Sequence, residues 1–295
     1  MNNKLLLIAL FTCNICFANE VICSPNDCYN VEKVLGQGAF GKVYQVTNSM
    51  GEKFALKSYL SNHSQNQTSL MLADAQREFS IGQKLDHPNI LKSIETFADS
   101  EDTHYVLFEF VDGVILHQIN RNELSKSQST DLAFQLTQAF KYAFQKGYLY
   151  IDLHGSNLMV TEELQTKMID VSSFFTFEEL KKLFHQTSKN LNPSPREKKI
   201  LDYMKKRPHI FANRKVSRDL TTDNYIKYFE IAKFDDVTKA ITMIISKANL
   251  DKETKIELYS RIKKISWSYF EDFYDDKAEP FEFYFQQVED ILLEN

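Results

Sequence analysis

The stretch Tyr150–Asp170, YIDLHGSNLMVTEELQTKMID, limits what this chain can fold into more than any other part of it. Leu158-Met159-Val160 and Met168-Ile169 read as two short strands around the polar turn Thr161–Lys167, a hairpin pattern. Such a hairpin sets Asp152, Asn157 and Asp170 along one wall of a cleft. Asn157 and Asp170 are oxygen donors suited to a divalent ion, and Asp152 can take a proton from an incoming hydroxyl. Metal-assisted phosphoryl transfer requires those parts.

The residues upstream supply a second set. Strands at Val31–Leu35 and Lys42–Val46 flank Gly36-Gln37-Gly38-Ala39-Phe40-Gly41. This glycine pattern turns strand into strand, so it is not the dinucleotide-binding form, which must open a helix. Its glycines let backbone N–H groups approach phosphate oxygens with no Cβ in the way. A third strand, Lys53–Lys57, follows the turn at Gly51-Glu52, and Ser61–Ser69 reads as a polar linker. From Met71 the apolar positions Leu72, Ala75, Phe79, Ile81 and Leu85 predict a helix that carries Glu78. Ser93–Ala98 and Tyr105–Val111 read as strands, and Ser125–Phe144 as a long helix. Beyond Asp170, Thr176-Phe177-Glu178-Glu179 is a capping box that opens another helix. Further helices are expected over Val216–Lys247, Lys252–Asp275 and Glu279–Glu294, with Pro193-Ser194-Pro195 in a loop. The charge run Arg196-Glu197-Lys198-Lys199 with Lys205-Lys206-Arg207 reads as a solvated helix face, or as a docking surface for an acidic substrate.

In this order the motifs resemble the protein-kinase-like superfamily. Asp152-Leu153-x-x-x-Asn157 matches half of the family's catalytic-loop signature, and Asp170 stands at its metal-binding aspartate. Gly36–Val43 matches its glycine-rich loop, Phe54-Ala55-Leu56-Lys57 its lysine-bearing strand, and His87-Pro88-Asn89-Ile90-Leu91 the connection after its helix. The resemblance implies a bilobal α+β fold: an antiparallel sheet with one helix over residues 31–112 and a mainly helical lobe over residues 113–295. It implies ATP with Mg²⁺ or Mn²⁺. Gly36, Gly38, Ala39, Phe40, Gly41 and Val43 would cover the phosphates, and Lys57, fixed by Glu78, would hold them. Ala55 would line the adenine pocket behind Phe108, with backbone groups of Glu109 and Val111 meeting the base. Asn157 and Asp170 would bind the metal, and Asp152 would orient and deprotonate the acceptor hydroxyl.

The departures carry information too. Tyr150-Ile151 replaces His-Arg before the catalytic aspartate, Asp170-Val171-Ser172 replaces Asp-Phe-Gly, and no Ala-Pro-Glu element follows. Without that arginine, constitutive activity is expected rather than control by phosphorylation of a segment after Asp170. The loop Asp152-Leu153-His154-Gly155-Ser156-Asn157 is similar to that of aminoglycoside phosphotransferases. That loop, the early helix and the missing Ala-Pro-Glu point to a small molecule or lipid headgroup as acceptor, but the glycine loop, the lysine-bearing strand and His87–Leu91 make a protein hydroxyl the first expected acceptor and the small molecule or headgroup the second. A nucleotide-binding scaffold without catalysis is the third reading.

At 295 residues the chain can bury a full core. A net charge of -5 and a pI near 5.9 make no bulk electrostatic case for nucleic acid or an anionic membrane as partner. Met1-Asn2-Asn3-Lys4, the apolar run Leu5–Phe17 and the small Ala18 read as a signal peptide over residues 1–18, too short to span a bilayer. Cys13 and Cys16 would leave with it. Cys23 and Cys28, in a short segment over residues 19–30, then read as a small disulfide loop, the other reading being half of a metal site. The expected product is a secreted monomer. ATP is scarce outside cells, so its place of action would be the interior of another cell or a secretory lumen.

Overall fold

The computed structural model describes residues 20–38, 41–59, 65–186, 195–207, 225–275 and 277–294. The expected signal peptide, Ala39 and Phe40 of the glycine loop, Pro193-Ser194 and the start of the helix expected from Val216 lie outside the described residues.

One six-stranded antiparallel sheet has the order β1(Val21–Cys23), β2(Cys28–Gly38), β3(Gly41–Thr47), β4(Lys53–Tyr59), β6(His104–Glu109), β5(Ser93–Ala98). Side chains alternate across a strand, and this alternation sorts the functional residues. Leu56, Tyr105 and Leu107 face an outer cluster with Ile22, Tyr29, Val31, Val46 and Phe97. Ala55, Tyr59, Val106 and Phe108 face the other way, onto Ala75 and Ile81 of helix α1(Gln65–Lys84) and Leu85 just past its end. Lys57, two residues from Ala55 and Tyr59, shares this inner face. The helix begins earlier than the polar linker expected through Ser69 allows. No Gly or Pro interrupts Gln65–Leu70, and propagating an existing helix adds one hydrogen bond per residue fixed, so polar turns extend it without an apolar stripe.

The two edges of this sheet meet. Cys23 and Cys28 are opposed in the β1–β2 hairpin and joined by a disulfide. The turn between them reaches Glu95 on β5, which accepts hydrogen bonds from Ser24 Oγ (3.1 Å) and Asn26 Nδ2 (2.7 Å). Tyr29 Oη on β2 adds a third at 3.3 Å.

The second lobe is built on α2(Lys126–Gln145), opened by a capping box between Ser125 and Gln128. It packs against α5(Tyr225–Ser246) and α7(Phe281–Leu293), with α6(Lys252–Tyr274) against both of those helices. Phe234, Tyr269, Phe281, Tyr284 and Phe285 make an aromatic centre there. The hairpin of β9(Leu158–Thr161) and β10(Thr166–Met168) gains a third strand, β7(Gly113–Ile115), which is too short for alternation to reveal. Gly113 fits because a Cβ there would lie 2.4 Å from Val160 O. β8(Tyr148–Tyr150) pairs with β11(Phe174–Thr176), and α3(Phe177–Gln186) follows at once. The expected capping box is present: Glu179 N–H donates to Thr176 Oγ1, and Glu179 accepts from Thr176 N–H at 2.8 Å. The last described helix of this region is α4(Pro195–Lys205). Among the described residues no helix is long and apolar enough to cross a membrane.

Candidate active site

Lys57 on β4 and Glu78 on α1 form an ion pair at 2.7 Å, with the Glu78 side chain 3% exposed. Tyr59 Oη also donates to Glu78, and its ring lies under the Lys57 ammonium at 5.0 Å. Burial pulls the Lys57 ammonium down, and Glu78 and Asp170 more than offset it, so Lys57 stays charged with a pKa above the ordinary lysine value. Val43 is the cross-strand neighbour of Lys57, and Ala55 that of Phe108. Of the glycines in the loop, Gly41 is demanded by the fold itself: it has φ +144°, and a Cβ would lie 1.7 Å from Ser58 O. Gly36 faces open space, with nothing within 4 Å of where a Cβ would stand. Gly38 closes the β2–β3 register opposite Gly41.

At the expected adenine rim, Glu109 N–H donates to Lys92 O at 3.1 Å. A base there would meet a carbonyl of Glu109 rather than its N–H. The Glu109 side chain turns to Lys167 Nζ at 2.7 Å. Val111 lies outside the strand expected to reach it and packs on the main core.

The catalytic loop runs between β8 and β9. Asn157 Nδ2 donates to Asp152 O at 2.9 Å, and Ile169 N–H donates to Asn157 O at 3.0 Å. These bonds tie the loop to the residue before Asp170 and fix the Asn157 amide with its nitrogen inward. Asp152 is 41% exposed, open to an acceptor. Asp170 is less open, its side chain 23% exposed, and Ser172 and Ser173 each donate a hydroxyl to its carboxylate. Burial raises its pKa, but Lys199, Lys57 and the two serines outweigh burial and hold it below the ordinary carboxylate value. Ser172, where a glycine was expected, thus serves as a donor to Asp170. Tyr150, in the place of the expected histidine, is fully buried against Phe174, and its hydroxyl has no hydrogen-bond partner among the described residues. No group of three or more acidic, His or Cys side chains suited to a metal exists among the described residues. One carboxylate and one amide fit an ion of the Mg²⁺ type, which takes its remaining ligands from water and phosphate.

Three residues here escaped the sequence reading. Arg77 on α1 donates to Ser172 O (3.2 Å) and Phe174 O, and pairs with Glu179 at 3.1 Å. Tyr59 backs Glu78. Lys199, expected on a solvated face, instead lies 3.0 Å from Asp152 and 3.4 Å from Asp170. Arg207 of the same charge run also turns inward, onto Asp236. Charge spacing in sequence carries no sign of which lysine the tertiary fold will turn into a cleft; Lys57, Glu78, Ser172 and Lys199 line one small cavity.

A strand-borne lysine paired to a helix glutamate, facing an Asp–Asn loop and a second aspartate from the other lobe, defines a protein-kinase-like architecture. Comparison with known proteins agrees: a family model described as the protein kinase domain matches residues 29–188, just over half of the chain. This chain belongs to the protein kinase domain family. It is 33% identical over 156 residues to a serine/threonine-protein kinase, ppk25, of Schizosaccharomyces pombe, covering 51% of this chain and 36% of that protein. It is 31% identical over 143 residues to CBL-interacting protein kinase 28 of Oryza sativa, covering 48% and 32%. A probable serine/threonine-protein kinase, PknB, of Lactococcus lactis is 29% identical over 147 residues, covering 49% and 23%. The matched part thus spans about a third or less of these relatives' own length.

Proposed function

We propose that this chain is an ATP-dependent protein kinase that transfers the γ-phosphate to a serine or threonine hydroxyl. The observation that carries the reading is the single cluster in which Lys57, paired to Glu78, stands beside Asp170, with Asp152 reached through Lys199. The kinase names of its relatives support a protein acceptor. Gly36 and its neighbours would cover the phosphates and Lys57 would hold them. Asp152, the exposed carboxylate, would take the acceptor proton. A divalent ion held by Asp170 and Asn157 would neutralise phosphate charge. Most of the rate enhancement then comes from positioning and fixed charge.

The segment after Asp170 is already held by Arg77 through two backbone carbonyls, with no phosphate needed. This supports activity without a phosphorylation switch. A phosphorylation between Val171 and Lys198 that turned activity on would overturn it. A second reading, a small-molecule or lipid-headgroup acceptor, draws on the start of α3 at Phe177, so soon after Asp170. Export is part of the proposal. The Cys23–Cys28 disulfide suits an oxidising compartment, and residues 1–18 would be removed on the way, leaving Asn19 as the first residue.

Label transfer from γ-labelled ATP tests the function, with the chain from Asn19 onward and Mg²⁺ or Mn²⁺ on lysate split into protein and small-molecule fractions. Labelled protein that disappears in Asp152→Ala, by about 10²-fold or more, is the expected result. Label confined to small molecules would favour the second reading. ATP binding without transfer in either fraction would leave a non-catalytic scaffold.

A further inference from the structure

Lys199 has no place in the motifs that define the site. It stands 29 residues beyond Asp170, on α4, outside the residues 29–188 matched to the family. Yet its ammonium is shared among Asp152 (3.0 Å), Asp170 (3.4 Å) and the Ser173 hydroxyl (2.6 Å). Between Asp152 and Asn157 the loop itself offers Leu153, His154, Gly155 and Ser156, with no lysine or arginine. Among the described residues Lys199 is the lysine or arginine in contact with the exposed carboxylate.

Its position is built rather than incidental. Ile200, the next residue, is fully buried. One turn on, Tyr203 Oη donates to Asp236 at 2.9 Å, and the Arg207 guanidinium pairs with the same carboxylate while stacking 3.8 Å over the Tyr203 ring. Lys233, with no exposed side-chain surface, completes that network from α5 at 2.9 Å. The C-terminal half of α4 is thereby anchored in the core, and its other half holds Lys199 at the cleft, where its side chain is 27% exposed.

We propose that Lys199 is a catalytic residue that meets the oxygens of the transferred phosphoryl group. The inference rests on the kinase reading above. In the transfer, a bond forms between the acceptor oxygen and the γ-phosphorus as the bond from that phosphorus to the β–γ bridging oxygen breaks. The acceptor proton passes to Asp152, and the electron pair of the broken bond leaves on ADP. An acceptor within hydrogen-bond reach of Asp152, about 3 Å, lies within the sweep of a lysine head already 3.0 Å from that carboxylate. Negative charge on the phosphoryl oxygens arrives where Lys199 stands. With Asp170 engaged in holding a divalent ion, the lysine would exchange a carboxylate partner for a phosphate one and would lose no ionic contact.

The test compares two nucleotides that differ in the γ-phosphate. Dissociation constants for ADP and for a non-hydrolysable β,γ-imido analogue of ATP, both with Mg²⁺, are measured calorimetrically on the chain from Asn19 onward. Wild type is set beside Lys199→Met, Lys199→Gln and Lys199→Arg. Loss of one charge-assisted contact should weaken the analogue about 10-fold in the Met and Gln variants, leave ADP unchanged, and be largely rescued by Arg. At saturating ATP, label transfer should fall about 10²-fold, with the KM for ATP raised in step with the weaker analogue binding and the KM for the acceptor little changed. An equal change for both nucleotides would make Lys199 a structural strut, and tighter analogue binding with faster transfer would make it a plug on the metal site. Either overturns the proposal. If the wild type transfers no label at all, the kinase reading fails on its own, and the ADP-to-analogue comparison still decides Lys199.

Discussion

Glu230 on α5 is a carboxyl in the wrong solvent. Burial raises it, the 3.1 Å hydrogen bond from Tyr269 Oη opposes, and Glu282 adds to the rise, leaving its pKa pushed up from 4.5 to about 7. Between those values the folded chain holds a proton that the unfolded chain has released, so the associated stability is present below about 4.5 and lost as pH rises through about 7. Glu230→Gln keeps an acceptor for Tyr269 and removes the titration. It should therefore melt later than wild type near pH 8, by about 3 kcal/mol in stability, and match it near pH 4; equal melting at both would show that Glu230 ionises freely. At this scale the sequence is readable only where a residue sits in a motif of fixed spacing. Lys57, Glu78, Asp152, Asn157 and Asp170 stand out for that reason, and the fold gathers them. Arg77, Tyr59 and Lys199 reach the same place through packing, which leaves no local signature. In Lys199 the physics also misled: an isolated charge on a helix prefers water, but three acceptors waiting in a cleft outbid it.

Among the elements, α4 depends most on a single remote group. Asp236 satisfies Tyr203, Arg207 and the fully buried Lys233 together. Burial raises its pKa, and Lys233 with Arg207 pulls it below the ordinary value, as a paired carboxylate should be. Asp236→Ala would strand a buried ammonium, at a cost of about 3 kcal/mol or more. It should also raise hydrogen exchange along α4 ahead of α5. Exchange rising equally in both helices would show that Asp236 serves the lobe and not α4. The strands were the more legible elements. β3 to β6 lie between turn residues, and Ser93–Ala98 is found as read. β1 and β7 have three residues each, below what a period of two can reveal. The opening turns of α1 are polar and follow from propagation rather than pattern. For α4, the residues that bury it are two aromatic or aliphatic positions within a charged run, and a charged run read alone predicts water.

Taken whole, the molecule divides its tasks: one lobe is held by a curled sheet, the other by a core of helices and stacked rings. The Cys23–Cys28 link closes a short loop, for which constraint of the unfolded chain is worth about 2 kcal/mol. A Cys23→Ser, Cys28→Ser variant should therefore melt slightly earlier and exchange faster at β1 and at β5 beside Glu95, with nucleotide binding intact; loss of binding would mean the hairpin supports the cleft directly. Glu95 is the wider matter. Ser24, Asn26 and Tyr29 bring the first strand's hairpin to the last strand of the sheet, and one carboxylate clasps both margins. The outermost strands of a sheet are where foreign chains add themselves by main-chain pairing. Here side chains tie the two margins at Glu95, so a strand joining either one beside the β1–β2 turn would have to displace that carboxylate's three donors.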